Sequence, residues 1–425
     1  MQSEITRTRV IKVLFVAVLA LLALSVLLVS RGPSANTNHL FDDMPEGDIF
    51  TSSPSPGQAG QEIPWYILPE GSYVPPYGDW AAQSWRYAAD ATVDLPLSSA
   101  TLFFTAQGAG LTGTLNIQND GSRGADVARV QVRMYYTAAR LADAAKVLRE
   151  QPAAGNNGIG IKTPNRTSQN EHMFFDVRVH LPRGTAQDPQ RISNLEADLP
   201  NFAHILGDLA DGVHFNRISL TGANNYISSK SLLADIAHIR TSNAAIEGHY
   251  IANSILSLNT DNGHVKTDVT LTNAGSRAST LDLRASNGQV TSTISLLSTS
   301  QDSTGGVFEV KARTSNGGIA LSFPEAPLDS VQHVEAQSSI GDATVQMHKT
   351  FEGTFSLSQS FPAPVIQYDN RASDPAGTGR ERNVGYQRDG SGAFVGRTTW
   401  GQPARGKGMG NVNVQTSIGN TKLIL

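Results

Sequence analysis

The 425-residue chain contains no cysteine. That excludes disulfide staples and cysteine-based zinc sites, so a domain on the secretory route must be held by its core alone. Charged residues are scarce at 16%, against about a quarter in an ordinary soluble domain. With a net charge of −4, the chain lacks the basic face of a nucleic-acid binder. The ten histidines form no HxH, HxxH or HExxH pairing, so neither a metal nor a cofactor is expected. Long apolar runs are missing too, with one exception.

That exception begins after Lys12. From Val10 to Ser30 the chain offers 21 residues with a single charge, roughly 31 Å of helix at ~1.5 Å per residue. This matches a hydrocarbon core of about 30 Å. The apolar core is longer than that of a cleaved signal peptide, and Ser30-Arg31-Gly32-Pro33 is a poor cleavage site. Arg7, Arg9 and Lys12 lie at its start, and Asp42, Asp43, Glu46 and Asp48 follow it. The positive-inside rule then puts residues 1–9 in the cytosol and the bulk of the chain in the lumen or outside the cell. The expectation is a single-pass signal-anchor protein held in lipid by residues 10–30.

Residues 31–63 are rich in Pro, Gly and Ser and read as a disordered stalk. Residues 64–87 hold three of the four tryptophans, Trp65, Trp80 and Trp85. They either stack on sugars or cap the domain that follows; packing is the usual fate of such residues. From residue 88 to 425 the pattern is mainly β. Segments such as 101–105, 111–118, 128–136, 174–181 and 215–220 alternate with period two. The spacing predicts a helix over 138–150, with Leu141, Ala145 and Leu148 on one face, and a shorter one over 201–211.

The second half repeats itself. Two alternating apolar residues lead into Thr/Ala, Ser/Asp, Asn and Gly/Ala, and an apolar residue follows. The copies centre on Asn243, Asn262, Asn287 and Asn316, which are 19, 25 and 29 residues apart. Degenerate copies end at Ile340, Phe361 and Ile418, and Asn224-Asn225 is a candidate earlier one. Asn and Gly tolerate the left-handed conformation, so each phrase reads as a strand and then a turn. One such coil cannot bury its apolar face alone, whereas stacked coils share a core. The aligned Asn side chains are placed to ladder from coil to coil. The same Asn-Gly signal also suits hairpins, but the constant inward register favours a β-solenoid.

The phrases TSNGGI, ASNGQV and TDNGHV, with LSFPEAPLDS at 321–330, resemble those of fungal single-pass membrane proteins carrying an adhesin-like β-solenoid of uncharacterised function. The resemblance covers the anchor, the stalk and about 93–425. It implies a fold and carries over no catalytic residue. Ile340, Phe361 and Ile418 depart from its pattern, so those coils are expected to turn differently.

Several motifs invite chemistry. Gly108-Ala-Gly110-Leu-Thr-Gly113 matches GxGxxG but lacks the helix that would hold a pyrophosphate. Residues 401–408 approach a P-loop but lack its Ser/Thr. Asp261, Asp268, Asp282 and Arg284 are the residues a polysaccharide-processing β-helix enzyme would draw on, and Asp261 reads equally well as a turn residue. The polar stretch 369–392 is either a ligand-facing excursion or an insertion without function. Asn165-Arg166-Thr167 is a glycosylation sequon. The expected function is therefore a non-enzymatic adhesion or scaffold role, with a cell-wall glycan or a protein as partner. A β-helix enzyme and a tryptophan-based glycan binder are the alternatives.

Overall fold

A computed structural model describes residues 60–74, 85–165, 171–273, 275–360, 363–369, 371–402 and 409–425. All lie within one compact unit, Pro56–Leu425. The anchor at 10–30, most of the stalk, Trp80 and the P-loop-like 403–408 lie outside the described residues. Among the described residues no helix is long and apolar enough to cross a membrane.

The strands pair in parallel from coil to coil, which identifies a β-solenoid-like fold. Each coil lays one strand in a first sheet, turns, and lays the next in a second sheet. The clearest run is Ser279–Ala285 then Val290–Ser298, Val307–Thr314 then Ile319–Glu325, and Val331–Ile340 then Ala343–Gln346. Ser279–Ala285 pairs with Val307–Thr314, which pairs with Val331–Ile340, without a register slip. Side chains alternate, so Leu281, Leu283, Val310, Ala312, Val334 and Ala336 all enter the core. Two long strands, Ile227–Thr241 and Ile246–Thr260, bend from the second sheet into the first with no loop between.

Antiparallel pairs occur at the ends. Tyr87–Pro96 and Val127–Tyr136 pair antiparallel at one end, and Arg382–Arg388 and Phe394–Trp400 do so at the other. Both ends are also built out of chain order. The coil of Thr101–Gln107 and Gly113–Gly121 lies between that of Asn156–Lys162 and Met173–Pro182 and that of Gln190–Asp198 and Phe202–Asp208. At the far end, Gly410–Ile418 and Thr421–Ile424 lie between Val331–Gln346 and the earlier-encoded Gly353–Ser358 and Val365–Gln367.

Both expected helices are corrected. Over 138–150 only Leu141–Ala144 makes a helical turn, and Lys146–Glu150 is a strand between Gln61–Ile63 and Asn156–Lys162. Over 201–211, Phe202–Asp208 is a strand pairing with Gly113–Ile117 and with the start of Ile227–Thr241. Pairing on open sheet edges outweighs helix propensities worth only tenths of a kcal/mol per residue. The GxGxxG stretch is the corner between Thr101–Gln107 and Gly113–Gly121, with Gly108 and Gly110 at positive φ.

The turn glycines serve a purpose other than the one expected. Gly263, Gly288 and Gly317 do not adopt positive φ. They form a column in which a Cβ on each would overlap the carbonyl oxygen of the residue beneath: Ala244 under Gly263, Gly263 under Gly288, Gly288 under Gly317. Close approach of the coils selects them. The left-handed side appears only where the Asn is replaced. There the strands run on through Ile340 and Ile418, and Gly341 and Gly419 turn at φ 140° and 146°.

Two predictions follow from this packing. Gly288→Ala should destabilise the stack by about 1–3 kcal/mol, the usual cost of overpacking. Gly385→Ala, with open space around it, should leave the denaturant midpoint unchanged. His204 is wholly buried in the core, and burial pushes its imidazole down to about 4. Between pH 6.5 and about 4 the unfolded chain therefore binds a proton that the folded chain does not. Stability should be full above pH ~6.5 and fall as pH drops through that window, by about 3 kcal/mol. Urea unfolding at several pH values should show this slope reduced in His204→Leu. His238 and His348, also lowered mainly by burial, leave a residual slope.

Candidate functional site

The corner between the two sheets carries the most regular polar chemistry. The amide of Asn224 donates to Asn201 (2.6 Å), Asn243 to Asn224, Asn262 to Asn243, Asn287 to Asn262 and Asn316 to Asn287, the last four each at 2.7 Å. Each inner amide thus donates Nδ2–H to one coil and accepts on Oδ1 from the other. Backbone pairing continues around the corner, with Asn262 N–H on Ser242 O, Asn287 on Asp261 and Asn316 on Ser286.

Just inside the corner runs a second column. The Thr260 hydroxyl donates to Ala244 O, Thr314 to Gly288 O, Ser338 to Gly317 O and Thr416 to Gly341 O, at 2.8–2.9 Å. The Thr–Ser–Asn–Gly phrase thus assigns three jobs: a buried hydroxyl to the core side, an amide to the outer edge, and a glycine to the gap between coils. Ala285 breaks the hydroxyl column.

Sequence reasoning missed Asn201, since it was read as opening a helix. Its signal was Asn224, 23 residues later, within the range of the repeat spacing. The hydroxyl column was also missed, although the Thr recurs in the phrase itself.

Beside the ladder, the outward face of the first sheet presents a row in register: Arg240, Asn259, Arg284, Arg313, Gln337 and Gln415. Arg284 and Arg313 stand directly opposite each other. Each guanidinium has one carboxylate, Asp282 at 2.9 Å and Glu335 at 3.2 Å. The Nε of Arg313 is buried without an acceptor. Together with Asn259, Asp261, Ser286 and Ser315, the two arginines line a depression of about 370 Å³.

The tempting carboxylates do not converge. Asp282 neighbours Arg284 in the first sheet, and Asp261 sits in the corner 4.0 Å from Arg240. Asp268 points outward from the second sheet, across from His249 and Thr293, where it lines a different depression of about 460 Å³ with Lys230 and Lys266. The described tryptophans are packed. Trp65 donates from Nε1 to Ala145 O at 2.8 Å, and buried Trp85 lies against Phe174. Together with Ala88 and Tyr135, Trp85 and Phe174 make a small second core.

Much of 369–392 is built around Asp374, which accepts from Thr378 and Arg380. Hydrogen bonds from Arg380 hold its carboxyl well below the usual carboxylate range. Asn165 is exposed, and the rest of its sequon lies outside the described residues. Among the described residues no group of three or more His, Asp or Glu is placed to hold a metal.

The ladder makes a graded prediction. Asn262→Ala removes two amide bonds and should destabilise by about 1–2 kcal/mol, while terminal Asn316→Ala removes one and should cost about half as much. A double-mutant cycle on Asn243 and Asn262 in urea should return a coupling of several tenths of a kcal/mol.

No family model matches the chain, and no curated protein is similar to it. Among solved structures it is similar to a protein of Clostridium sporogenes ATCC 15579, provisionally described as a cell adhesion protein. That likeness has 9% identity and a TM-score of 0.19, and covers 79% of this chain and 99% of that one.

Proposed function

We propose that this chain is a non-enzymatic adhesion or scaffold protein, anchored by residues 10–30 and displaying its β-solenoid on the non-cytosolic side. The contact face is the Arg284–Arg313 row beside the Asn ladder, and its partner is a polyhydroxylated polymer such as a cell-wall glycan. The observation that carries this reading is the pair of in-register guanidiniums, both partly exposed and set among hydroxyls and amides. Such a surface offers donors and acceptors at a spacing fixed by the coils, about 4.8 Å apart. The neighbouring carboxylates offset the arginine charge, which suits a neutral or weakly acidic polymer better than a polyanion.

The test is a glycan array read with the intact, detergent-solubilised chain. Binding to at least one polysaccharide is expected. It should weaken about tenfold, or ~1.4 kcal/mol, in Arg284→Ser/Arg313→Ser with the thermal midpoint kept. A blank array would count against the glycan partner. Release of sugar ends from a polysaccharide, stopped by Asp282→Asn, would replace this reading with the β-helix enzyme.

A further inference from the structure

The coil encoded last among the described residues is not the outermost one. Gly410–Ile418 is hydrogen-bonded on one flank to Val331–Ile340 and on the other to Gly353–Ser358. Thr421–Ile424 is likewise held between Ala343–Gln346 and Val365–Gln367. Val412, Val414, Thr416, Thr421 and Leu423 point inward and are buried. Solenoid coils are held by their nearest neighbours. Without residues 410–425, the two flanking coils would be about two strand spacings apart, ~9.6 Å, which is the width of a slot for one coil.

The covalent path to that slot is long. Thr398 and Gly410 lie on opposite sides of Gly353, so the chain between them needs to cover only about 10 Å. Trp400 and Gly401 are still held in the fold, by Lys349 O and Glu381 O, and the stretch 402–409 beyond them has a reach of roughly 26 Å. Nothing in its length obliges the coil to enter the slot of its own chain.

We propose that residues 410–425 are an exchangeable coil, and that the slot between the strands Val331–Ile340 and Ala343–Gln346 on one side and Gly353–Ser358 and Val365–Gln367 on the other accepts this segment from a second copy of the chain. Reciprocal exchange gives a closed dimer in which every coil keeps its register. The contacts in cis and in trans are the same, so the choice depends on concentration. A covalent connection of this length gives an effective concentration in the millimolar range, and cis filling dominates when chains fold far apart. Chains that fold side by side on one membrane fill each other's slots. Once formed, the dimer persists, because release must part backbone ladders on both flanks together.

The absence of cysteine makes the test clean. Gln337 and Gln415 face each other in register on the outer surface, at a spacing a disulfide can bridge. Full-length Gln337→Cys and Gln415→Cys chains carrying different tags are mixed, unfolded, and refolded together in detergent at rising concentration under mild oxidation. The expected result is a disulfide-linked heterodimer several-fold in excess of either homodimer, with a yield that grows with concentration. The double variant Gln337→Cys/Gln415→Cys, refolded dilute, should instead link within one chain. A double variant that closes on itself, combined with no heterodimer excess at any concentration, overturns the exchange. Failure of the double variant to link overturns the slot itself.

Discussion

Between Asn262 and Asn316 the coils are tied at one corner, where three columns meet within four residues of sequence, the hydroxyl missing only at Ala285. The glycines let the backbones approach, the buried hydroxyls cap the carbonyls beneath, and the amides run along the outside. These contacts depend on one another. A coil that slipped by one residue would send its inward hydroxyl outward and its apolar residues into water, since the strand period is two. It would also lose the amide partner on both sides. The corner therefore sets the register for both sheets. Length variation is pushed to the opposite side of the stack, where Ile246–Thr260 runs through with no loop, Asn273 and Ser279 are joined by a five-residue loop and Ser298 and Val307 by an eight-residue one. This accounts for unequal spacing between Asn residues whose side chains nevertheless meet at a constant distance.

Stacking in register has an electrostatic consequence. A repeated phrase puts like residues on top of one another, and a charged position in the repeat meets its own sign one strand away. Arg284 opposite Arg313 is such a case. The two guanidiniums are offset by carboxylates in the adjacent row, one in the same strand and one in the next coil. Lys311 and Glu309 pair by the same two-residue spacing. With side chains partly exposed, such pairs each contribute at most about 1 kcal/mol. Their effect is mainly to make the stacked row tolerable, leaving a polar surface in which hydroxyls, amides and paired charges alternate.

The phrase around Asn243, Asn262, Asn287 and Asn316 was legible in the sequence because alternation and a polar corner recur together. The parallel stack follows from that recurrence. The glycine's role was not legible. Left-handed geometry and close approach select the same residue, and only the spacing between coils tells them apart. The segment around Val147 was misread because Ala, Leu, Lys, Arg and Glu favour a helix when considered locally. Its neighbours at Ile161 and Ile63 are encoded elsewhere. Asp268 could not be separated from Asp261 and Asp282 by sequence, since seven residues of chain carry it around the corner to the other sheet. The Arg284–Arg313 row was equally hidden, because Arg313 stands opposite a residue one coil away.

The out-of-order ends belong to the same physics. A solenoid assembled strictly in chain order ends in a coil with one neighbour, which frays easily and leaves a strand edge open to other chains. Here a coil from each end of the described chain is enclosed between two others, 101–121 at one end and 410–425 at the other. Neither can leave without parting backbone bonds on both flanks. Antiparallel hairpins then cover the first sheet beyond them, with Lys146–Glu150 at one end and Phe394–Trp400 at the other. One edge at the far end, Arg382–Arg388, carries Arg382 against Trp400 and Arg388 against Phe394. Charge on an edge strand opposes pairing with a further strand. Interleaving thus turns coils that chain order would place near the ends into interior ones, and it leaves the least regular and most charged part of the chain to face outward.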